Sequence, residues 1–209
     1  DKLIHWTDKW HIKFNSNKSK VLHVGKNNPH FKYHMDCNEL LETISERDLG
    51  VIVDPNLSFD VHIHETIKKA NRLTGMIVGN IQCKSKNIMV PLFKSLVRPI
   101  LEYGNAAWNT GLVKHTDIIE NVQRRFTKRI IGFSDMDYDK RLQILKLPSL
   151  EYRRLRRDLI EICKITHDLY DSKTINSLFT YNNDTRTRGH PYKILKISVR
   201  TSRFGHFFY

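Results

Sequence analysis

The chain has 209 residues, 40% of them hydrophobic and 10% aromatic, with 35 Lys+Arg against 22 Asp+Glu for a formal net charge of +13. That composition excludes a low-hydrophobicity disordered chain, and the length allows one ordinary domain or two small ones. No apolar run approaches the roughly 18–20 residues that cross a bilayer, so a membrane span is excluded. Cys37, Cys83 and Cys163 are too scattered for a disulfide framework or a Cys-rich zinc site, and they point to a reducing compartment.

In chain order, residues 1–10 predict the tail of a helix, with Leu3, Trp6 and Trp10 at helical spacing. A turn follows at Asn15-Ser16-Asn17, then a strand from Lys20 to Val24. Phe31, Tyr33 and Met35 alternate with Lys32, His34 and Asp36 as a half-buried strand would, and Asp36-Cys37-Asn38 has turn composition. Leu40–Ser45 and Leu49–Val53 predict two more strands, closed by Asp54-Pro55-Asn56.

From Ser58 the apolar period changes from 2 to about 3.6. Phe59, Ile63, Ile67, Ala70, Thr74, Ile77 and Ile81 define one face of a first long helix, with Lys68, Lys69 and Arg72 off it. A second helix begins at the N-cap Ser85 and carries Ile88, Leu92, Leu96, Ile100 and Tyr103; Pro99 is expected to kink or break it. A third, Thr116 to Ile131, puts Ile119, Val122, Phe126 and Ile130 on one face and Arg124, Arg125, Lys128 and Arg129 on the other, with Gly132 as its stop. A short helix spans Asp137 to Lys146. Ser149 then caps a long one to about Tyr170, in which Tyr152, Leu155, Leu159, Ile162, Thr166 and Leu169 predict the apolar face beside Arg153, Arg154, Arg156 and Arg157. Beyond Ser172 the pattern weakens into the polar NNDTRTRGHP and ends on FGHFFY.

The fold class is therefore α+β: a small antiparallel β region, 1–57, followed by helical regions 58–134 and 135–209. The charge follows the same division. Residues 1–58 are balanced, 59–134 carry a net +7 and 135–209 a net +6. A cationic surface on the helical part points to a polyanion.

Few local motifs carry catalytic chemistry. There is no Asp-Asp pair, no GxSxG, no P-loop and no GxGxxG. Asp135, Asp137 and Asp139 alternate, and helix capping at Asp137 is the preferred reading over a cation loop. His62-Ile63-His64 lacks a third ligand at useful spacing and is read as structural or solvated. Lys18 and Lys20 follow a turn from which a lysine could reach a phosphate, though an exposed structural lysine is the commoner case. The arginines at 153–157 suit a phosphate grip and a solvated face equally. Trp108 and Tyr103 suit packing between helices better than base stacking.

Five segments in order, WHIKFNSNKSKVLHVGK, RDLGVIVDPNLSFDVHI, LVRPILEYGNAAW, IIENVQRRFTKRIIGF and LPSLEYRRLRRDLIEICKI, resemble the C-terminal part of reverse transcriptases of non-LTR, LINE-type (jockey-like) retrotransposons. The resemblance spans roughly Leu3 to His190. It implies the end of a polymerase palm with an Asn-x-x-Lys element at Asn15–Lys18 and a primer-grip turn at Asp48, Leu49, Gly50 and Val51. A helical thumb over about Phe59–Phe133 and a helical extension are implied after it. On this resemblance Lys18 lies near the incoming nucleotide and supports pyrophosphate departure in the full enzyme. Leu49 and Gly50 approach the primer, while Lys68, Lys69, Arg72, Arg124, Arg125, Lys128, Arg129, Arg153, Arg154, Arg156 and Arg157 follow the backbone of an RNA/DNA hybrid.

The implied partners are an RNA template, a DNA primer, and the N-terminal fingers and palm of the same polyprotein. The implied setting is a nuclear or cytoplasmic ribonucleoprotein. The family's aromatic-x-Asp-Asp hairpin, which holds Mg²⁺ in the full-length enzyme, is missing from this sequence, so no cofactor is expected in this chain and no polymerisation from it alone. The missing initial Met and the apolar end lead to the expectation of a fragment. The rival expectations are a basic helical module docking an acidic protein, and an inactive retroelement relic.

Overall fold

The structure, a computed structural model, describes residues 2–35, 38–167, 169–170 and 194. The fold class is α+β, with small sheets followed by helices. Two compact units divide it, Asp1–His62 and Ile63–Tyr209.

The first unit opens with α1, Lys2–Trp10, on which Trp6 and Trp10 stand with ring centroids 6.4 Å apart. The side chain of Leu3 lies outside the described residues, as does the turn at Asp36-Cys37. Asn15 begins a 3-10 turn over Ser16–Lys18, and the Ser19 hydroxyl closes it by donating to the Asn15 carbonyl at 3.1 Å. Six short strands follow: β1 Lys20–Val21, β2 His34–Met35, β3 Asn38–Glu39, β4 Leu41–Glu42, β5 Glu46–Asp48 and β6 Val51–Val53. β2–β3 and β5–β6 are antiparallel, whereas β1 pairs with β4 in parallel register, Val21 opposite Glu42. Two of the three pairs are thus antiparallel, as expected, and the third is parallel.

The strands are also shorter than their alternation predicts. Alternation becomes a strand where one face has something to bury against. Here Phe31 and Tyr33 are exposed, and among the described residues of this unit only Val51 and Phe59 are buried apolar side chains. The 3.6-residue face of the following helix begins at that Phe59.

The β5–β6 hairpin has a two-residue tip, Leu49-Gly50, with φ of 44° and 87°. A turn with two positive φ values matches the right-handed twist of the strands, and glycine adopts it freely at the second position. Leucine at the first is held against its preference. After β6, Asp54 organises the approach to the helices. Its carboxylate accepts from the backbone N–H of Asn56, Ser58 and Phe59, at 3.0, 3.1 and 2.8 Å, and from the Ser58 hydroxyl.

In the second unit the helices are α2 Asp60–Asn80 (begun in the first unit), α3 Lys86–Leu92, α4 Arg98–Glu102, α5 Asn105–Trp108, α6 Val113–Lys128, α7 Tyr138–Leu145 and α8 Leu150–Thr166. The α2 face is the expected one, with Ile63, Ala70 and Ile77 buried. On α6, Ile119, Val122 and Phe126 are buried as the spacing predicts, and so is Ile130 just past its end. Gly132 takes φ of 82° just beyond, a conformation open to glycine where the chain must turn.

The α3–α4 stretch differs from expectation in its buried row. Its buried row is Met89, Phe93, Val97 and Leu101, one residue along from the expected Ile88, Leu92, Leu96, Ile100 and Tyr103. Both rows are apolar at helical spacing, so spacing alone does not choose between them. Phe93 packs on Phe126 with ring centroids 4.8 Å apart, and that aromatic contact holds the helix rotated. Near Pro99 the α-helix is interrupted, though the chain stays helical. A π-turn over Phe93–Val97 precedes the proline, Val97 and Arg98 keep right-handed helical angles, and Pro99 stands in the first turn of α4. There its missing N–H costs least.

Asp137 caps α7 by accepting from the Asp139 N–H, and Ser149 caps α8 by accepting from the Tyr152 N–H, both as expected. The tract NNDTRTRGHP and the end FGHFFY lie outside the described residues. Among the described residues no helix is long and apolar enough to cross a membrane.

Burial of the Asp54 carboxyl works against its charge, but the hydrogen bonds from Ser58, Phe59 and Asn56 outweigh it and hold the group below its usual range. A carboxyl with a lowered folded pKa stabilises the fold above the unfolded value, near 3.9, and loses that contribution as pH falls through the folded value. Asp54→Asn is therefore expected to cost about 1–3 kcal/mol at pH 7. The cost is read as faster hydrogen exchange at the Ser58 and Phe59 amides, and the difference from the parent chain should begin to close near about pH 4 and vanish only below the lowered folded value.

Candidate nucleic-acid interface

The exposed cations of α6 are a consequence of its period. Its buried apolar stripe is Ile119, Val122 and Phe126, continued by Ile130 past the helix end, so Arg125, Lys128 and the C-cap Arg129 emerge on the solvent side. Arg124 is different. It is half-buried, donates to Asn121 Oδ1 at 3.2 Å, and lies 5.1 Å from the centroid of the Tyr138 ring. On α2, Lys68, Lys69 and Arg72 are exposed, with Lys68 held loosely to Glu65 one turn back at 3.8 Å. In the first unit Lys18 is exposed at the end of the 3-10 turn, and Leu49, 85% exposed, stands beside Gly50 at the hairpin tip.

The arginine run of α8 is not one solvated face. Arg156 is exposed, but Arg154 is buried, and burial holds its guanidinium below the ordinary value against the opposing charges of Glu120 and Glu151. Arg153 donates to Glu102 through Nε to Oε1 and through Nη2 to Oε2, the second bond at 2.9 Å. Its hydrogen bond to that carboxylate raises the Arg153 pKa. Arg157 donates to Glu102 Oε2 at 3.2 Å, to the Glu102 carbonyl at 2.8 Å and to Asn105 Oδ1 at 3.1 Å.

Asn105 and Asn109 in turn donate to Asp158, at 3.2 and 2.8 Å. Burial pushes the Asp158 carboxyl up despite the Asn109 hydrogen bond. This corrects the expected orientation of the helix. Tyr152, Leu155 and Leu159 are each 57% exposed, while the buried positions are Leu150, Arg154 and Thr166. Buried carboxylates on the preceding segment turn the arginines inward, and the leucine row turns outward with the rotation.

The same segment fixes two aromatic side chains. Trp108 is 1% exposed and donates its indole N–H to the Tyr103 carbonyl at 2.7 Å, so it packs and does not stack on bases. Tyr103 is 59% exposed. It borders a cleft of about 310 Å³ lined also by Lys94, Arg98, Pro99, Glu102, Arg153 and Arg157. Four cations face one carboxylate there. Desolvation, followed by the charge of Arg153, lowers the Arg98 pKa, with Glu102 offsetting in part. Such a wall accepts one more anionic group, a phosphate or a carboxylate.

A second buried carboxylate ties α6 to the start of α8. Glu120 accepts the Tyr138 hydroxyl and, through Oε2 at 3.1 Å, the Glu151 N–H at the helix N-terminus. Burial, reinforced by Glu120, pushes the Tyr138 phenol up, so it stays a donor. Gln123 completes the joint by donating to the Pro148 carbonyl at 3.1 Å.

Among the described residues one group of metal-ligating side chains stands together, His23, His30 and Glu42. Imidazole-rich donors do not suit Mg²⁺, which takes carboxylate, phosphate and water oxygens, so nothing in that group replaces the missing Asp-Asp. His62 is buried and structural, accepting the Ile52 N–H at Nδ1, 3.2 Å away.

Sequence reasoning missed the Lys94–Arg98 wall and the His23 group. The available signal for the first was Glu102, a lone acid in LVRPILEYG facing the surplus of bases in LEYRRLRRD. Nothing in residue spacing pairs His23 with Glu42. No family model, curated protein or solved structure matches the chain.

Removing the Glu102 charge leaves Arg153 and Arg157 facing each other and Arg98 without their counterion. Glu102→Gln is expected to destabilise the helical unit by about 2–4 kcal/mol, read as a lowered urea midpoint with unchanged slope. Arg156→Gln, at an exposed position, should leave the midpoint within about 0.5 kcal/mol of the parent.

Proposed function

We propose that the chain is the palm end, thumb and C-terminal helical region of a non-LTR retrotransposon reverse transcriptase, a fragment of an RNA-directed DNA polymerase that grips a primer–template RNA/DNA hybrid and does not polymerise alone. The observation that carries this reading is the exposed cationic side of α6, with Arg125, Lys128 and Arg129 opposite a fully buried apolar stripe. Cations so fixed can neutralise successive phosphates and release their condensed counterions without reading sequence. Lys68, Lys69 and Arg72 on α2 extend the same chemistry.

Two features of the first unit support the same parentage. The Leu49-Gly50 tip presents backbone with no Cβ at its second residue, which suits close approach to a primer strand. Trp10, Phe31, Tyr33, Leu41 and Ile44 are exposed on a unit with almost no core of its own. An apolar surface of that kind fits docking against the fingers and palm of the full enzyme. Lys18 would there assist pyrophosphate departure, and Mg²⁺ would be held by carboxylates this chain lacks. Arg153, Arg154 and Arg157 are withdrawn from the duplex grip, since Glu102 and burial hold them.

Fluorescence anisotropy with a labelled RNA/DNA hybrid tests the reading. Affinity should fall steeply with salt, and replacing Arg125, Lys128 and Arg129 with Gln should weaken binding to all sequences alike. The salt slope should drop by roughly 2–3, close to one per lost phosphate contact. A flat salt response, or an acidic peptide that displaces the hybrid at equal concentration, would favour a protein-docking module. Primer extension with Mg²⁺ and dNTPs should yield no product from this chain.

A further inference from the structure

His23, His30 and Glu42 come together by a route that has nothing to do with the cationic helices. The parallel β1–β4 pair sets Val21 opposite Glu42, and His23 follows two residues later. The chain then turns at Gly25, whose N–H bonds the Pro55 carbonyl at 2.9 Å. Asn28 clips the loop shut by donating to the Val24 carbonyl at 3.1 Å and accepting the His30 N–H at 3.0 Å. That clip holds His30 at φ of 53° and brings its ring back over the first histidine, with centroids 4.5 Å apart.

One ligand atom from each of the three residues lies within 4.8 Å of the others, and His30 Nδ1 is 2.7 Å from Glu42 Oε1. Donor atoms around a tetrahedral zinc, with bonds of about 2.0–2.1 Å, stand about 3.3 Å apart. His30 and Glu42 are exposed side chains, and burial does not hold them at their present spacing. His23 is only 8% exposed, and its ring makes no hydrogen bond among the described residues, so it offers a preset nitrogen. A hydrogen bond between His30 and Glu42 accounts for those two side chains, and the His23 ring packs beside His30 and Tyr33, with centroids 4.5 and 6.2 Å away, in contacts that leave its nitrogens unused.

We propose that His23, His30 and Glu42 bind a Zn²⁺-type transition-metal ion that staples the loop after β1 to β4. Two imidazoles and one carboxylate give three protein ligands and leave a fourth position for water or a residue of a docked partner. The donor set selects zinc, cobalt or nickel over magnesium and calcium. A staple has a physical purpose here, because the unit has two buried apolar side chains among its described residues and cannot gain much from a core. The inference does not rest on the proposed grip, since it concerns other residues and needs no nucleic acid.

The test is titration of the chelator-treated full chain with Zn²⁺ by calorimetry and with Co²⁺ by visible absorption. One equivalent should bind, with the Co²⁺ spectrum of a four-coordinate site, and Zn²⁺ should raise the melting temperature in a way EDTA reverses. The chain has 11 histidines, so variants decide the location. Glu42→Gln and His30→Gln, both at exposed positions, should keep the parent circular dichroism and each weaken Zn²⁺ binding at least about tenfold. His11→Gln should change nothing. Undiminished binding in both variants, or loss of binding in His11→Gln, would overturn the proposal. So would no binding by the parent chain, which would leave His30 and Glu42 a hydrogen-bonded pair only.

Discussion

A carboxylate nearly withdrawn from water must find cations, and Glu102 finds two on a helix some 51 and 55 residues later in sequence. Its side chain is 9% exposed, and its partners Arg153 and Arg157 reach it through four side-chain and backbone hydrogen bonds. That clamp decides more than stability. It sets the rotation of α8, which turns Arg154 inward and the Tyr152–Leu155–Leu159 row outward. It orients Asn105, which bridges Arg157 to Asp158. It also leaves Arg98 and Lys94 beside a cleft where positive charge exceeds negative. A buried ion pair gains little over a well-packed apolar one, but losing either partner is costly, so such pairs fix orientation.

The clamp explains which parts of the molecule were legible in the sequence. The α6 stripe was, because Ile119, Val122, Phe126 and Ile130 are apolar at helical spacing and the residues between Ile119 and Ile130 that flank them are polar. Asp137 and Ser149 were legible because capping is local chemistry. The α3–α4 row was ambiguous because two neighbouring rows are apolar, and a distant partner, Phe126, chose between them. The α8 face was misread because arginine is charged and leucine is not, and the usual sorting puts the first outside. It inverts where the protein supplies buried carboxylates, and no window within α8 contains Glu102. The β region was legible as extended chain but not as short strands. Alternation at Phe31, Tyr33 and Met35 records a face meant for burial, and the described residues supply little to bury it.

These points sort a net charge of +13 into two kinds. Arg141, Arg153, Arg154 and Arg157 are parts of the fold, each buried or held by carbonyls and carboxylates. Arg125, Lys128, Arg129, Lys69 and Arg72 are free of such duties and exposed. Counting bases along the sequence weighs both kinds equally and overstates the surface available to a polyanion. The proposed grip depends on the second kind alone, and the metal staple proposed for the first unit depends on neither.

That division can be measured directly by arginine modification with phenylglyoxal, read residue by residue by mass spectrometry with and without an RNA/DNA hybrid. The account predicts that Arg72, Arg125 and Arg129 react in the free chain and are shielded by the hybrid, while Arg153 and Arg154 stay unmodified in both. Rapid reaction of Arg153 and Arg154 in the folded chain, with shielding by the hybrid, would contradict it.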